Sequence, residues 1–169
     1  DVMMYDQKGD SMIYASRISA KVSLLPLLNQ KISIASAQLF GLKANLYQQT
    51  PQSKHNFQFV LDSLASKDTT KHTPLDLHIG SLIIRHGAVK YDKRYIVSKS
   101  GVFSPAHISI SDLSTHIIAN HITDDAINLH IKKLAFRDKS GLQLNSLSFK
   151  LDANKREASL KEFELQLPH

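Results

Sequence analysis

Cysteine and tryptophan are both absent from the 169 residues, and aromatic side chains make up only 7% of them. Without cysteine there is no disulfide framework and no thiolate zinc site, which leaves cytosol and periplasm equally open. Scarce aromatics leave little on which bases or sugars could stack. No apolar run reaches the roughly eighteen residues of a membrane-spanning helix, and no signal peptide is recognisable. The sequence starts at Asp1 without a methionine, so it reads as part of a longer protein. A glycine-rich phosphate loop, a nucleophile elbow and an HExxH motif are also missing. The expectation is therefore a non-enzymatic protein without a cofactor.

What is present is aliphatic. Hydrophobic residues are 42% of the chain, mainly Leu, Ile, Val and Ala, enough for one β-rich domain over residues 1–169. The net charge of +6 comes from 21 Lys and Arg against 15 Asp and Glu. Basic residues such as Lys132, Lys133, Lys150 and Lys161 stand among apolar ones, as solvent-facing strand positions do. That scatter does not suggest nucleic-acid binding. Nine histidines form no local ligand cluster. His116 and His121, five apart, are expected on opposite faces of a strand. His78, His86, His107 and His130 stand singly. The adjacent Asp124 and Asp125 read as a turn rather than a calcium loop.

Along the chain, MIYASRISAKVSLLPLL reads as one strand with Met12, Tyr14, Ile18, Ala20 and Val22 alternating, ended by a turn at Pro26. KISIASAQLFGLKANLYQ returns antiparallel, with Gly41 as a bulge or bend. Phe57, Val60, Leu61 and Leu64 recur at helical spacing and predict a short amphipathic helix. Residues 66–74 are polar and aperiodic, a flexible loop. LDLHIGSLIIRHGAVKYD predicts a strand, a turn at His86 and Gly87, and a short return. Further strands follow in HISISDLSTHI, AINLHIKKLAF, GLQLNSLSFKLD and ASLKEFELQL. RDKSG is a turn with Gly141 at positive φ, and DANKRE a hairpin loop.

One irregularity recurs. Apolar residues alternate, slip by one position and resume, at Ile32/Ile34/Ala37/Leu39, Leu77/Ile79/Leu82/Ile84, Leu129/Ile131/Leu134/Phe136, Leu142/Leu144/Leu147/Phe149 and Ala158/Leu160/Phe163/Leu165. Ile108/Ile110/Leu113 starts the pattern and lacks its last member. A slip on a period-two strand moves the apolar set to the other face unless a bulge absorbs the extra residue. Bulges at similar heights in neighbouring strands would curve the sheet into a groove or half-pipe. The alternative is a two-layer β-sandwich whose strands change layer at a corner. Candidates for the inner face are Ile79, Ile108, Ile110, Leu129, Ile131, Leu142 and Leu144, which could hold lipid or be ordinary core.

The order of segments carries a resemblance. DVMMYDQKGDSMIYASRISAKVSLLPLLNQKISIASAQLFGLKANLYQ, then NFQFVLDSLAS, LHIGSLIIRHGAVKYDKR, FSPAHISISDLS and LAFRDKSGLQLNSLSFKL, together resemble the N-terminal periplasmic part of AsmA-like proteins, particularly the TamB (translocation and assembly module) type. The resemblance rests on alternation and turns and has no catalytic signature. It implies a periplasmic body anchored in the inner membrane through an N-terminal helix outside this sequence, with a long curled sheet and an apolar trough. The implied role is outer-membrane biogenesis: lipid transport between the membranes, or assembly of outer-membrane proteins. The implied partners are phospholipid acyl chains, the rest of the parent chain, and an Omp85-type outer-membrane protein reached through a C-terminal region this sequence does not contain. The competing expectation is a secreted β-sandwich that binds or adheres through its loops.

Overall fold

A computed structural model of the chain describes residues 1–23, 31–64, 76–123 and 125–168. The turn expected at Pro26 and the loop expected at 66–74 lie outside them. Among the described residues ten strands form one mixed, open sheet. In chain order they are β1 (Val2–Tyr5), β2 (Ser11–Ala15), β3 (Arg17–Ser23), β4 (Ile32–Phe40), β5 (Lys43–Gln48), β6 (Asp76–Lys93), β7 (His107–Thr123), β8 (Ala126–Asp138), β9 (Gln143–Asn154) and β10 (Ala158–Gln166), with one helix, α1 (Gln58–Leu64), before β6. The two-layer sandwich is not the architecture: a single sheet accounts for every described strand.

The first hairpin is antiparallel as expected, but both of its arms are broken. β2 and β3 part at Ser16, whose N–H and hydroxyl both donate to the Phe40 carbonyl at 3.1 and 2.7 Å. β4 and β5 part at Gly41, which holds φ at 62° and donates its N–H to the Arg85 carbonyl. β4 and β5 together run parallel to the 18-residue β6, one beside each half of it. From β6 to β10 each strand is antiparallel to the next.

β6 corrects one expectation. His86 and Gly87 make no turn; the strand continues through them. His86 takes φ of 52° in a bulge, where three steps from Ile84 to Gly87 match two from Thr115 to Leu113. The position next to it is crowded: a Cβ on Gly87 would lie 3.1 Å from both Ile84 and Leu113 side-chain atoms, which would have to give by a few tenths of an ångström. The His-Gly pair is a turn signal by composition, yet the aliphatic alternation resumes beyond it and keeps the chain in the sheet.

The six sequence slips are all bulges or register shifts. Ala35 is inserted opposite Lys21 and Val22. Gly80 and Ser81 are matched by a single residue between Ala119 and Ile117. The remaining four fall between Ser111 and Ser114, between Ile131 and Leu134, between Leu144 and Leu147, and between Lys161 and Glu164. Two of these bulges also hold a non-glycine residue at positive φ, Asp112 and Glu162.

Apart from the breaks at Tyr5 and Asn120, the bulges fall into two lines across the sheet. One passes Ser16, Gly41, His86, Asp112 and Asn145; the other passes Ala35, Gly80, Lys132 and Glu162. A bulge bends its strand and adds twist, so each line is a place where the sheet turns.

Hairpin turns follow the local chemistry. Gly141 has φ of 97° as expected, and Asp138 closes that turn by accepting from the Ser140 N–H at 2.9 Å. Asn154 accepts from the N–H groups of Arg156 and Glu157. In the turn that contains Asp125, Thr123 accepts from the N–H of Asp125 and of Ala126. Asp125 itself pairs with Lys155.

Candidate functional site: one aliphatic face

Because the bulges absorb the slips, directly paired residues trace rows of one sheet face. One row runs Ile34, Ile79, Ala119, Leu129, Leu151, Leu160. The next runs Ala37, Leu82, Ile117, Ile131, Phe149. A third runs Leu39, Ile84, Thr115, Leu134, Leu147, Leu165. Beyond the line of breaks through Gly41 and His86 come Ala44, Val89 and Ile110, then Leu46, Tyr91 and Ile108. The two halves of every slipped strand thus share a face.

Thr115 is the member that the β7 pattern lacked. It is only 4% exposed, and its hydroxyl donates to the Lys133 carbonyl at 2.8 Å. Threonine fills the volume of a valine here and uses its hydroxyl on a carbonyl at the neighbouring bulge.

Six of the seven sequence candidates lie on this face. Ile79 and Leu129 share a row through Ala119, and Ile131 stands two residues further along β8. Ile108 and Ile110 lie opposite Tyr91 and Val89, and Leu144 lies opposite Phe136. Leu142 is different: it precedes β9 in the turn and is 37% exposed, its carbonyl accepting from the Asp138 N–H. The alternation that placed it on a strand ran one residue into the turn. The sequence did not single out Ile117, the last residue of the segment read as a strand, or Ala119, which lies past that segment because β7 extends to Thr123.

Burial is partial. Ile131 and Leu144 are 8% exposed, whereas Ile79, Ile108, Ile110 and Leu129 are half-buried. Among the described residues no second layer lies over the face. Where the sequence predicts the amphipathic helix, Phe57 packs beside the His55 ring, and His55 in turn stacks on Tyr91 and meets its hydroxyl at 3.0 Å.

Polar groups fix the end of the face near Tyr91 and Ile108. Asp6, 7% exposed, accepts from the Tyr47 hydroxyl at 2.8 Å and from the N–H groups of Lys8 and Asp10. Burial alone would raise its pKa, but these hydrogen bonds outweigh it and hold the carboxyl below its ordinary value. Burial, reinforced by the Asp6 charge, pushes the Tyr47 phenol up. The Arg94 guanidinium lies 3.6 Å from the Tyr47 ring centre, a cation–π contact. Asp138 repeats the device. Burial opposes its charge, but hydrogen bonds from Ser140 and from the Ser109 N–H prevail, and its pKa is lowered. Asp92 and His107 are paired across β6 and β7 at 2.5 Å.

The opposite face is polar, and there the histidine expectation is corrected. His116 pairs with Lys133 and His121 with Asn128, both on the polar side. Five-residue spacing on a regular strand would separate them. Asn120, inserted between Ala119 and His121, restores them to one face. His116 Nε2 meets the Ser81 hydroxyl and His78 Nδ1 the Asn120 carbonyl. Among the described residues no three His, Asp or Glu side chains are grouped to hold a metal, and no helix is long and apolar enough to cross a membrane. Comparison with family models, with curated proteins and with solved structures finds no match to the chain.

Proposed function

We propose that the chain is a non-enzymatic periplasmic segment of an AsmA/TamB-like envelope protein, anchored to the inner membrane through a helix outside this sequence. Its aliphatic face is an apolar groove for acyl chains in lipid transport between membranes. The observation that carries the reading is the continuous aliphatic face, kept on one side by bulges in successive strands and left half-exposed among the described residues. An acyl chain on that face is removed from water at about 0.8 kcal/mol for each CH₂ buried. Ile79, Ile108, Ile110, Leu129, Ile131 and Leu144 are the lipid-facing residues of this proposal, with Leu142 at the rim. The segment order quoted above supports the family reading and the role in outer-membrane biogenesis. Assembly of outer-membrane proteins with an Omp85-type partner would use regions beyond this sequence.

The test is direct binding. A fluorescent fatty acid should bind the purified chain, and native mass spectrometry should find co-purifying phospholipid. Leu129→Gln should weaken binding several-fold while leaving the circular dichroism of the sheet intact. If neither lipid is detected on folded protein, the groove reading fails for this segment.

A further inference from the structure

The polar face gathers basic side chains that are scattered in the sequence. His116 on β7 pairs with Lys133 on β8. Two steps along β8 past the bulge, His130 pairs with Lys150 on β9, and Lys150 pairs with Lys161 on β10. Lys132 is the inserted residue between the two rows. Like charges set directly opposite on neighbouring strands are unfavourable. Here Lys150 and Lys161 are so placed; Glu162 pairs with Lys150 at 2.7 Å and interacts with Lys161 only through its charge. Lys132, Lys133 and Lys161 are exposed and have no ion pair among the described residues. The acids nearby on this face are Asp152, opposite Asn128, and Glu162 and Glu164 on the edge strand.

The geometry points to this ladder as a docking surface for an anionic phospholipid bilayer. Strands lie about 4.8 Å apart, so four of them spread the cations in two dimensions rather than along a line. A bilayer offers a two-dimensional field of phosphates, whereas a nucleic acid presents its phosphates along a strand. Apart from the imidazoles of His116 and His130, the ladder contains no aromatic ring on which a base could stack. Repulsion across β9 and β10, partly offset in the free protein by Glu162, is relieved further when phosphates sit between the ammonium groups. This inference concerns the face opposite the aliphatic one and stands whether or not that face takes acyl chains.

The experiment is co-sedimentation with vesicles containing about one third phosphatidylglycerol, at about 0.1 M salt and again at about 0.5 M, where surface attraction is largely screened. Each lysine near an anionic surface contributes about a fivefold gain in partitioning. The triple variant Lys132→Gln, Lys133→Gln, Lys161→Gln should therefore bind on the order of a hundredfold more weakly. A control with the same charge change at exposed sites off the ladder, Lys21→Gln, Lys99→Gln, Lys139→Gln, should lose only a few-fold. Circular dichroism confirms that both variants keep the sheet.

Equal losses in the two triples would mean that net charge alone acts, and would overturn the assignment. Equal binding to pure phosphatidylcholine vesicles would overturn it in favour of the aliphatic face. Displacement from the vesicles by duplex DNA at matched phosphate concentration would overturn it in favour of nucleic acid.

Discussion

If Lys132 is an inserted residue, removing it should restore one-to-one pairing on both sides of β8. Three steps from Ile131 to Leu134 now face two from Phe149 to Leu147, and two from Lys133 to Ile131 face one from His116 to Ile117. Deleting Lys132 equalises both ladders and leaves Ile131 and Leu134 on the aliphatic face, so only the local bend is lost. A cost of about 1 kcal/mol or less is expected, near the range of ordinary surface changes. Deleting His130, two residues earlier, removes a residue from regular pairing. The least disruptive repair slides the bulge away, turning Ile131 to the polar face and setting Lys132 in its place. Ile131 is 8% exposed, so its exposure alone costs about 1.5–3 kcal/mol. With Lys132 forced onto an aliphatic row the total reaches about 3–5 kcal/mol, a large share of the stability of an ordinary domain. Urea unfolding followed by circular dichroism should place the midpoint of the His130 deletion lower by about 1–2 M and leave that of the Lys132 deletion nearly unchanged. Equal destabilisation by the two deletions would refute the bulge account of the slips.

Gly80→Ala should destabilise by about 1–3 kcal/mol, because the new Cβ would stand 2.6 Å from the Ala35 carbonyl oxygen, a backbone atom that moves only with β4; a midpoint within 0.2 M of the parent, roughly the noise of such titrations, would contradict the close approach of the two strands. Asp138→Asn tests the hydrogen-bonded carboxylate at the hairpin. A folded-state pKa below the unfolded value means that Asp138 contributes stability above the ordinary carboxylate range and loses it as pH falls through the folded pKa. The variant should thus be about 1–2 kcal/mol less stable than the parent at pH 7, and the difference should shrink below about pH 4. A difference that stayed constant from pH 7 to about pH 2 would show that the charge is not what matters.

The bulges were legible because they are local: period two is kept on either side of each slip, so six short segments announce them without knowledge of the partner strand. The basic ladder was not. Lys133 meets His116 and Lys150 meets Lys161 only through registers between segments whose pairing no local pattern specifies. The same dependence explains the histidines. Counting alone places His116 and His121 on opposite faces; the insertion of Asn120 does leave a slip, Ile117/Ala119/Ile122, but it lies where the segment read as a strand ends. His86 and Gly87 erred the other way. Their composition signals a turn, but Ile84 before them and Val89 after them pair with Thr115 and Ile110 of one continuous partner, β7. Where two signals compete, the partner strand decides.

The distribution of burial bears on what shapes the aliphatic face. In a domain closed by a second layer, the central rows of the sheet would be the most buried. Here Ile79, Leu82, Leu129 and Leu134 lie in central rows and remain half-buried. Ala119 and Thr115 in those rows are buried, as are Met12 and Tyr47 off the lines of breaks, but the other buried apolar positions flank the lines: Ala15 beside Ser16, Leu42 beside Gly41, Leu113 beside Asp112, Leu144 beside Asn145 and Ile131 beside Lys132. A bend brings the side chains on its concave side together, so the residues that flank it gain burial from the sheet itself. The bulges therefore do two things at once. They hold the aliphatic set on one face, and they supply by curvature part of the burial that a second layer would otherwise give, leaving the rows between them open along the sheet.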